Sequence, residues 1–321
     1  MIGIIKSFLI IISSLKRYDL FVGSNCLNAS LGLLCKVIGV ADKVVFFSPD
    51  YVENRFDSFL LNWTYRKLDH FCVKHCDLVW NSSAICFPDP MMVVREKDGL
   101  PKKYRKNQIQ TPDGTDNRLS LGLENRVQLP LKIGFIGHIR EGMGVSKLIE
   151  VFDKLSDSFS DIQLVIIGSG PLEKEVERRA KKNKNIFFHG YIGEIERVYQ
   201  ILSECSIAVA PYENGSITQF TDPGKIKVYL SLGLPVVVNN VPLVAKEIEK
   251  CEAGICVNFE DEDGLYNAMV KLIKNKKLRM KYSHNSSLLC QKYNWDNIFI
   301  RSINCVYDER YKNSDLNMTE K

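Results

Sequence analysis

The chain has 321 residues, of which 45% are hydrophobic and 25% are charged, a composition typical of a soluble globular protein with room for two cores. Its net charge of +5 is too small to indicate a nucleic-acid-binding protein, although it is compatible with a small anionic ligand or a membrane surface. The ten cysteines contain no Cys-x-x-Cys pair, so we expect reduced thiols and a cytoplasmic location.

The chain begins with an apolar segment, Ile2 to Ile12, that is interrupted only by Lys6. The segment is too short to span a bilayer, and Lys16 and Arg17 follow it where a signal peptide would have a small-residue cleavage site. We predict an amphipathic or buried first helix. A peripheral location at the inner face of the membrane therefore stays open as an alternative.

The first half then alternates short apolar runs with helical patterns, which indicates βαβ units. The predicted strands are Asp19 to Gly23, Lys43 to Phe47 and Asp77 to Trp80, and the predicted helices are Asn28 to Ile38 and Phe56 to His75.

Four potential metal ligands cluster in the second of these helices, namely His70, Cys72, His75 and Cys76. The two cysteines share a helical face, but the two histidines do not both join them, and no second cluster exists elsewhere in the sequence. The sequence therefore predicts no metal site.

From Asp98 to Leu129 the periodicity gives way to Lys, Asn, Gln, Asp and Gly, which predicts a linker between two domains. Its basic run, Lys102 to Lys106, is typical of a solvated loop, although it could also contact anionic lipid or substrate. The predicted domains are residues 1–129 and 130–293, and residues 294–321 form a final helix and tail.

After Lys132 the pattern is that of a six-stranded Rossmann-like domain, which places the whole chain in the α/β class. The predicted strands start near Ile133, Ile162, Ile186, Ile207, Val236 and Ile255. The predicted helices are Val145 to Ser156, Leu172 to Lys182, Glu194 to Ser203, Gly224 to Leu232, Val244 to Lys250, Asp261 to Asn275, Leu278 to Tyr293 and Trp295 to Tyr311.

The stretch from Ile207 to Asn240 forms a strand, a loop, a helix and a second strand. Its loop leads into the amino end of the helix, where open α/β sheets bind anions. We predict that Asp222 caps this helix, that Pro223 is its first residue, and that Gly224 and Lys225 bind a phosphate. The same residues in isolation are more typical of an ordinary capped helix with a solvated lysine.

Two glycine-rich turns follow earlier strands of this half. Gly137, His138 and Arg140 lie in the first turn, and Gly168 and Gly170 lie in the second. Backbone N–H groups of such turns can approach a pyrophosphate, and Arg140 can pair with its oxygens. The glycine order does not match the dinucleotide-binding fingerprint, and the second turn is equally well explained as a tight turn into a helix.

Three motifs resemble one protein family. Asp222 to Val237 (DPGKIKVYLSLGLPVV) is similar to the donor-site helix of the group 1 retaining glycosyltransferases with the GT-B fold. Gln110 to Asp116 resembles the connector between the two halves of that fold, and Ile167 to Pro171 resembles its Val-Gly-x-Gly-Pro turn. The resemblance implies two Rossmann-like domains and transfer of a sugar from a nucleotide-sugar to a glycan or lipid-linked acceptor in polysaccharide biosynthesis, without a metal or other cofactor.

The resemblance also implies roles for individual residues. Arg140 and Lys225 would neutralise the leaving diphosphate, Tyr191 would stack on the nucleobase, and Asp50, which also suits a turn or helix cap, would face the acceptor. The other implied donor contacts are Gly137, His138, Gly168, Gly170, Glu213, Asp222 and Gly224.

The chain departs from the family pattern in several places. Val228 stands where the family has the glutamate that binds the donor ribose, and His138 and Met143 stand at positions of an arginine and a lysine, for which Arg140 or Lys147 could substitute. The family's opening strand and glycine-rich turn have no counterpart here, so we expect an incomplete N-terminal domain that an upstream segment or a second chain would complete. A non-catalytic nucleotide-binding partner subunit and a sugar-nucleotide epimerase of the same architecture remain alternatives.

Overall fold

The computed structural model describes residues 6, 10–11, 13–14, 16–51, 54–83, 89–116, 131–213, 222–261 and 263–308. The chain divides into two compact units, Met1–Pro112 together with Asp296–Lys321, and Asp113–Trp295. Most of the predicted first helix, Ile2 to Ile12, lies outside the described residues. No helix within the described ranges is long and apolar enough to cross a membrane.

The first unit contains one sheet of four parallel strands in the order β1-β2-β3-β4. The strands are β1 (Tyr18–Ser24), β2 (Ala41–Ser48), β3 (Leu78–Asn81) and β4 (Gln108–Gln110). The helices are α1 (Cys26–Val37), α2 (Phe59–His75), α3 (Pro90–Lys97) and α11 (Trp295–Tyr307), and a 3-10 helix spans Lys102–Asn107. From Asp296 onward α11 belongs to this unit.

Apolar side chains cover both faces of this sheet. Because successive side chains of a strand point to opposite faces, Phe46 packs with Cys72 of α2, whereas its neighbour Val45 packs with Trp80 and with Cys305 of α11. The sheet is therefore enclosed by α2 on one face and by α11 on the other.

A buried arginine joins the polar ends of these strands. The guanidinium of Arg95, on α3, donates to both carboxylate oxygens of Asp69, to Ser48 Oγ, to Asn81 Oδ1 and to Gln108 Oε1, over 2.6 to 3.2 Å. Every N–H of the guanidinium therefore has an acceptor, which offsets the cost of burying its charge.

The structure differs here from the predicted linker after Asp98. Lys102–Asn107 is helical, and Gln108–Gln110 pairs in parallel with β3. Both glutamines are buried, so polar side chains occupy strand positions without the apolar pattern that predicts a strand. Residues 117–129 of the predicted linker lie outside the described residues.

The second unit contains a sheet of six parallel strands in the order β10-β9-β8-β5-β6-β7. The strands are β5 (Leu131–Ile136), β6 (Ile162–Ile167), β7 (Ile186–Phe188), β8 (Ile207–Ala210), β9 (Val236–Asn239) and β10 (Gly254–Val257). The helices are α4 (Val145–Ser158), α5 (Glu173–Lys182), α6 (Ile195–Ser203), α7 (Gly224–Ser231), α8 (Val244–Lys250), α9 (Gly264–Lys274) and α10 (Lys276–Gln291). With two parallel sheets in the chain, the predicted α/β class is confirmed.

The strand order reverses in the middle of this sheet. The chain runs outward from β5 to β7, returns to β8 beside β5, and then continues outward to β10. Residues of β8 and β9 from Ile207 to Ala210 and from Val236 to Val238 have no exposed surface, as expected for strands with helices on both faces. The loops after β5 and β8 flank the reversal, which is where open α/β sheets bind ligands.

Candidate functional site

Backbone hydrogen bonds join the three loops that follow β5, β6 and β7. Gly137 N–H donates to Ile167 O at 3.0 Å, Ile139 N–H donates to Ser169 O at 2.9 Å, and Gly168 N–H donates to Gly190 O at 2.8 Å. The loops that carry the predicted glycines therefore form one layer at the carboxyl edge of the second sheet.

The second of these loops needs its glycines for this contact between loops. Gly168 has φ of 143° and Gly170 has φ of 157°, in or near the range that side chains disfavour. A Cβ on Gly168 would lie 1.8 Å from Gly137 O, and one on Gly170 would lie 2.4 Å from Ile139 O. Close packing against the neighbouring loop thus accounts for both glycines, whether or not a ligand also approaches them.

Lys225 lies beneath the first loop. Its Nζ is 4.6 Å from the centroid of the Phe135 ring and 4.2 Å from that of Tyr212, and a Cβ on Gly137 would lie 3.3 Å from it. Nζ is buried and has no hydrogen-bond partner among the described residues. Burial without a neighbouring carboxylate lowers the pKa of Lys225 to about 7, because desolvation disfavours the charged form.

The amino end of α7 is open beside this lysine. Pro223 is the N-cap residue, and no described side chain caps the helix. The hydroxyl of Tyr229 in the next turn accepts a hydrogen bond from Ile136 N–H at 2.8 Å, which ties α7 to the end of β5. Among the described residues, no side chain accepts from the first N–H groups of the helix, an arrangement that suits an anion.

The prediction that Asp222 caps this helix is wrong, and Pro223 precedes the first helical residue. Asp222 Oδ1 lies 2.7 Å from Lys227 Nζ, and both side chains are fully buried. Asp222 Oδ2 accepts the Asp113 N–H at 3.1 Å. Because a buried ammonium attracts the carboxylate more strongly than a helix N–H does, Asp222 turns inward, and both of its oxygens are occupied within the protein.

Glu213 holds the far end of the first loop. Its Oε2 accepts the Gly142 N–H at 2.9 Å, and its own N–H donates to Gly142 O at 3.1 Å. Beside it is a cavity of about 300 Å³, lined in part by Lys147, Tyr212 and Asn239. Glu213 and Lys147, both named from the sequence, are thus neighbours in the structure.

The remaining donor-side candidates lie on the same loops. His138 is exposed, and its Nδ1 donates to Ser169 O at 2.8 Å, which leaves Nε2 facing away from that carbonyl. Arg140 is partly exposed on the first loop, and Tyr191 on the third exposes 75% of its surface. Val228 lies one turn after Lys225, on the same side of α7, and packs partly buried against the core.

Asp50 belongs to the first unit, just past β2. Its Oδ1 accepts a hydrogen bond from Arg55 Nη1 at 2.6 Å, and both side chains are partly exposed. Ser48 Oγ, which Arg95 holds, donates to the Asp50 carbonyl at 3.2 Å. The position of this carboxylate is therefore set by two arginines.

No three His, Cys, Asp or Glu side chains in the described part of the chain come together as a metal site would require. His70 Nε2 is buried and has no partner there, while Cys72 and Cys76 are buried in the core of the first unit.

Residues 130–275 contain all of the second-unit loops described above, and they match the family described as "Glycosyl transferases group 1". This match assigns residues 130–275 to the group 1 glycosyltransferases.

Curated relatives share the sequence of this chain over part of their length. The phosphatidyl-myo-inositol mannosyltransferase of Mycobacterium leprae is 24% identical over 162 residues, which are 50% of this chain and 42% of the relative. The enzyme of the same name from Mycolicibacterium smegmatis is 22% identical over 59% of this chain and 47% of its own length. The match therefore spans less than half of either mannosyltransferase.

Solved structures resemble the chain over most of its length. Anabaena HepE, crystallised with UDP, has 13% identity and a TM-score of 0.72 over 95% of this chain and 81% of its own. Sucrose-phosphate synthase from Thermosynechococcus elongatus has 16% identity and a TM-score of 0.66 over 92% and 74%. These likenesses confirm the predicted GT-B fold.

Two parts of the site were not identified from the sequence. Phe135 and Tyr212 form the aromatic surroundings of the Lys225 ammonium, and the Asp113 N–H helps to hold Asp222 away from the helix end. The sequence could have indicated Phe135 and Tyr212 only through their position, close to the carboxyl ends of the two strands at the reversal.

Proposed function

We propose that this protein is a glycosyltransferase that moves a sugar from a nucleotide-sugar donor to a glycan or lipid-linked acceptor, with retention at the anomeric carbon. The observation that carries the proposal is the buried amine of Lys225, which has no described partner and lies between the open end of α7 and the Gly137 loop. A buried cation without a counter-ion is costly, and a bound diphosphate would supply that counter-ion.

The chemistry that follows is charge neutralisation. As the bond between the sugar and the diphosphate breaks, negative charge grows on the departing oxygen, and a fixed ammonium together with a helix amino end stabilises it. In our proposal Lys225 and the N–H groups at Gly224 do this, and Arg140 approaches from the first loop. The departing phosphate takes the acceptor proton, so no protein base is needed.

The comparisons support the classes of donor and acceptor. UDP was crystallised with Anabaena HepE, which supports a nucleoside diphosphate as the leaving group. The mycobacterial relatives are phosphatidyl-myo-inositol mannosyltransferases by name, which supports a lipid-linked acceptor. In the first unit we assign Asp50 to the acceptor, and on the third loop we assign Tyr191 to the nucleobase.

We place the reaction in the cytoplasm, within the assembly of a polysaccharide or glycolipid. The nine cysteines in the described ranges are free thiols, the state that a reducing compartment maintains.

A second candidate is a nucleotide-binding partner subunit without turnover. Val228 favours it, because valine cannot accept the two ribose hydrogen bonds that the family glutamate accepts. Loss of that contact weakens donor binding without removing the diphosphate site.

Purified protein should be incubated separately with UDP-, GDP- and ADP-sugars, with and without a membrane lipid extract, and followed by mass spectrometry. Transferase activity predicts release of nucleoside diphosphate together with a hexose mass added to a lipid, and neither should occur with Lys225→Met. Nucleotide release without a glycosylated product would indicate the epimerase. Tight nucleotide binding without turnover on any donor would instead support the partner subunit.

A further inference from the structure

The outer side of α2, in the first unit, carries large apolar side chains. Phe59, Leu60, Trp63 and Phe71 expose 77%, 67%, 47% and 46% of their surface, respectively. Helical spacing places them on one side of α2, and the opposite side is buried in the core of the unit through Cys72 and its neighbours. A helix that simply faces water would carry polar residues at these positions.

The charged residues on the same side of α2 are basic, namely Lys67, Lys74 and Arg66, whose guanidinium lies 3.9 Å from Asp98 Oδ1. Lys67 Nζ lies 5.9 Å from the Trp63 ring centroid, and Lys74 Nζ lies 6.0 Å from that of Tyr104 in the 3-10 helix. Lys103 approaches the same tyrosine ring at 5.2 Å. The tyrosine therefore connects the lysines of α2 to the basic 3-10 helix, and positive charge adjoins the apolar end.

Few carboxylates oppose this charge. Asp69, Glu96 and Asp98 each accept a hydrogen bond from a neighbouring arginine or tyrosine side chain, and Asp69 is completely buried. Among the described residues of this surface, Asp57, just before the helix, is the exposed carboxylate that lacks such a hydrogen bond. The surface is therefore mostly apolar at the amino end of α2 and becomes positively charged toward its carboxyl end and the 3-10 helix.

We propose that this surface docks on the anionic face of a lipid bilayer. The docking surface consists of Phe59, Leu60, Trp63, Phe71, Lys67, Lys74 and the 3-10 helix. Its aromatic and aliphatic side chains enter the headgroup region, as those of interfacial helices do. Its lysines remain at the level of acidic headgroups, whose negative potential attracts them. The binding does not depend on the proposed sugar transfer.

A second copy of the chain suits this surface less well. In a twofold dimer the same patch faces itself, so the lysines of one copy would lie opposite those of the other. The described part of the patch offers only Asp57 to compensate them. A bilayer with acidic lipids provides both an apolar layer and the opposite charge.

The test is co-sedimentation of the whole chain with vesicles of phosphatidylcholine, alone or mixed with phosphatidylglycerol. We expect binding to the mixed vesicles, and a loss of partitioning of about tenfold or more in the double variant Phe59→Ser/Leu60→Ser. In the double variant Lys67→Gln/Lys74→Gln, the amount of protein bound to mixed vesicles should approach the amount bound to phosphatidylcholine alone. High salt should have the same effect on the unchanged chain.

Matched variants of exposed residues in the second unit serve as controls. Met280→Ser/Leu288→Ser and Lys276→Gln/Lys277→Gln, whose side chains are comparably exposed, should bind vesicles as the unchanged chain does. Circular dichroism melts should show that all variants fold. No binding to mixed vesicles would overturn the proposal, and so would equal loss in the control variants. A dimer in ultracentrifugation that only Phe59→Ser/Leu60→Ser dissociates would assign the surface to a second copy instead.

Discussion

The two sides of α7 place two buried lysines in opposite situations. Lys227 points into the unit, where Asp222 lies 2.7 Å away and the Tyr293 ring centroid lies 3.7 Å away. Lys225, two residues earlier, lies against the rings of Phe135 and Tyr212 without a hydrogen-bond partner among the described residues, and its pKa is lowered to about 7. One lysine is neutralised by the fold, whereas the other has no carboxylate partner in the described part of the chain, and our proposal assigns it to a ligand. Burial alone therefore does not distinguish a structural cation from a functional one, but the presence of a counter-ion does.

The largest expected effect concerns the inner lysine. Lys227→Met should lower the free energy of unfolding by about 3 to 5 kcal/mol, because it leaves the buried Asp222 carboxylate without its ammonium. Chemical denaturation followed by circular dichroism measures this. Lys281→Met is the control, because its 2.7 Å pair with Glu252 is about half exposed, and its loss should cost less than about 1 kcal/mol. Equal, small losses in both variants would contradict the structural role of Lys227.

The outer lysine should show the reverse behaviour. Lys225→Met should weaken UDP binding by about 1.5 to 3 kcal/mol, the value of a charge-assisted hydrogen bond, while stability stays the same or rises because a desolvated amine is removed. Titration calorimetry and a thermal melt measure the two quantities. Lys174→Met, which changes an exposed lysine on α5, should alter neither. A Lys225→Met protein that binds UDP normally would remove this residue from the site.

A smaller effect is expected at Val228, on the same side of α7 as Lys225. Val228→Glu should tighten binding of UDP by about 0.5 to 1.5 kcal/mol, because a carboxylate at this position can accept hydrogen bonds from the ribose hydroxyls. 2′-Deoxy-UDP, measured in the same way, should gain less, because it keeps only one of the two ribose hydroxyls. Val228→Gln, which is similar in size, tests how much of the gain requires a carboxylate instead of a single amide oxygen. If the glutamate variant folds but binds UDP no better, the assignment of this position to the ribose is incorrect.

Much of the second unit could be predicted from the sequence, because parallel strands that are buried on both faces appear as short, continuous apolar runs. Strands beginning near Ile133, Ile207 and Val236 follow from that signal alone. β4 could not be predicted, because Gln108 and Gln110 are polar and become buried only through tertiary hydrogen bonds such as the one from Arg95. Local pattern carries no information about such a partner.

The candidate site could be predicted from the sequence about as well as the second unit could. The Gly137, Gly168 and Lys225 positions follow from turns at strand ends and from the family resemblance, and the structure brings Gly137 close to both of the others. The inward turn of Asp222 did not follow, because capping rules describe an isolated helix and take no account of a buried lysine. Which of two neighbouring lysines is paired is decided by the packing around them.

The central claim is that Lys225 is the group that meets the phosphates of the donor. Because its pKa in the free protein is about 7, well below the ordinary value, Lys225 should be largely neutral at about pH 8, where UDP is fully ionised. A bound diphosphate favours the charged form and raises that pKa, so binding should take up a proton, and affinity should fall as pH rises further above 7.

Calorimetric titration of UDP at about pH 8, in two buffers with different ionisation enthalpies, measures this proton uptake directly. The unchanged chain should take up close to one proton for each UDP bound, and Lys225→Met should take up almost none. Binding of UDP without proton uptake in the unchanged chain, or with equal uptake in the variant, would contradict the claim.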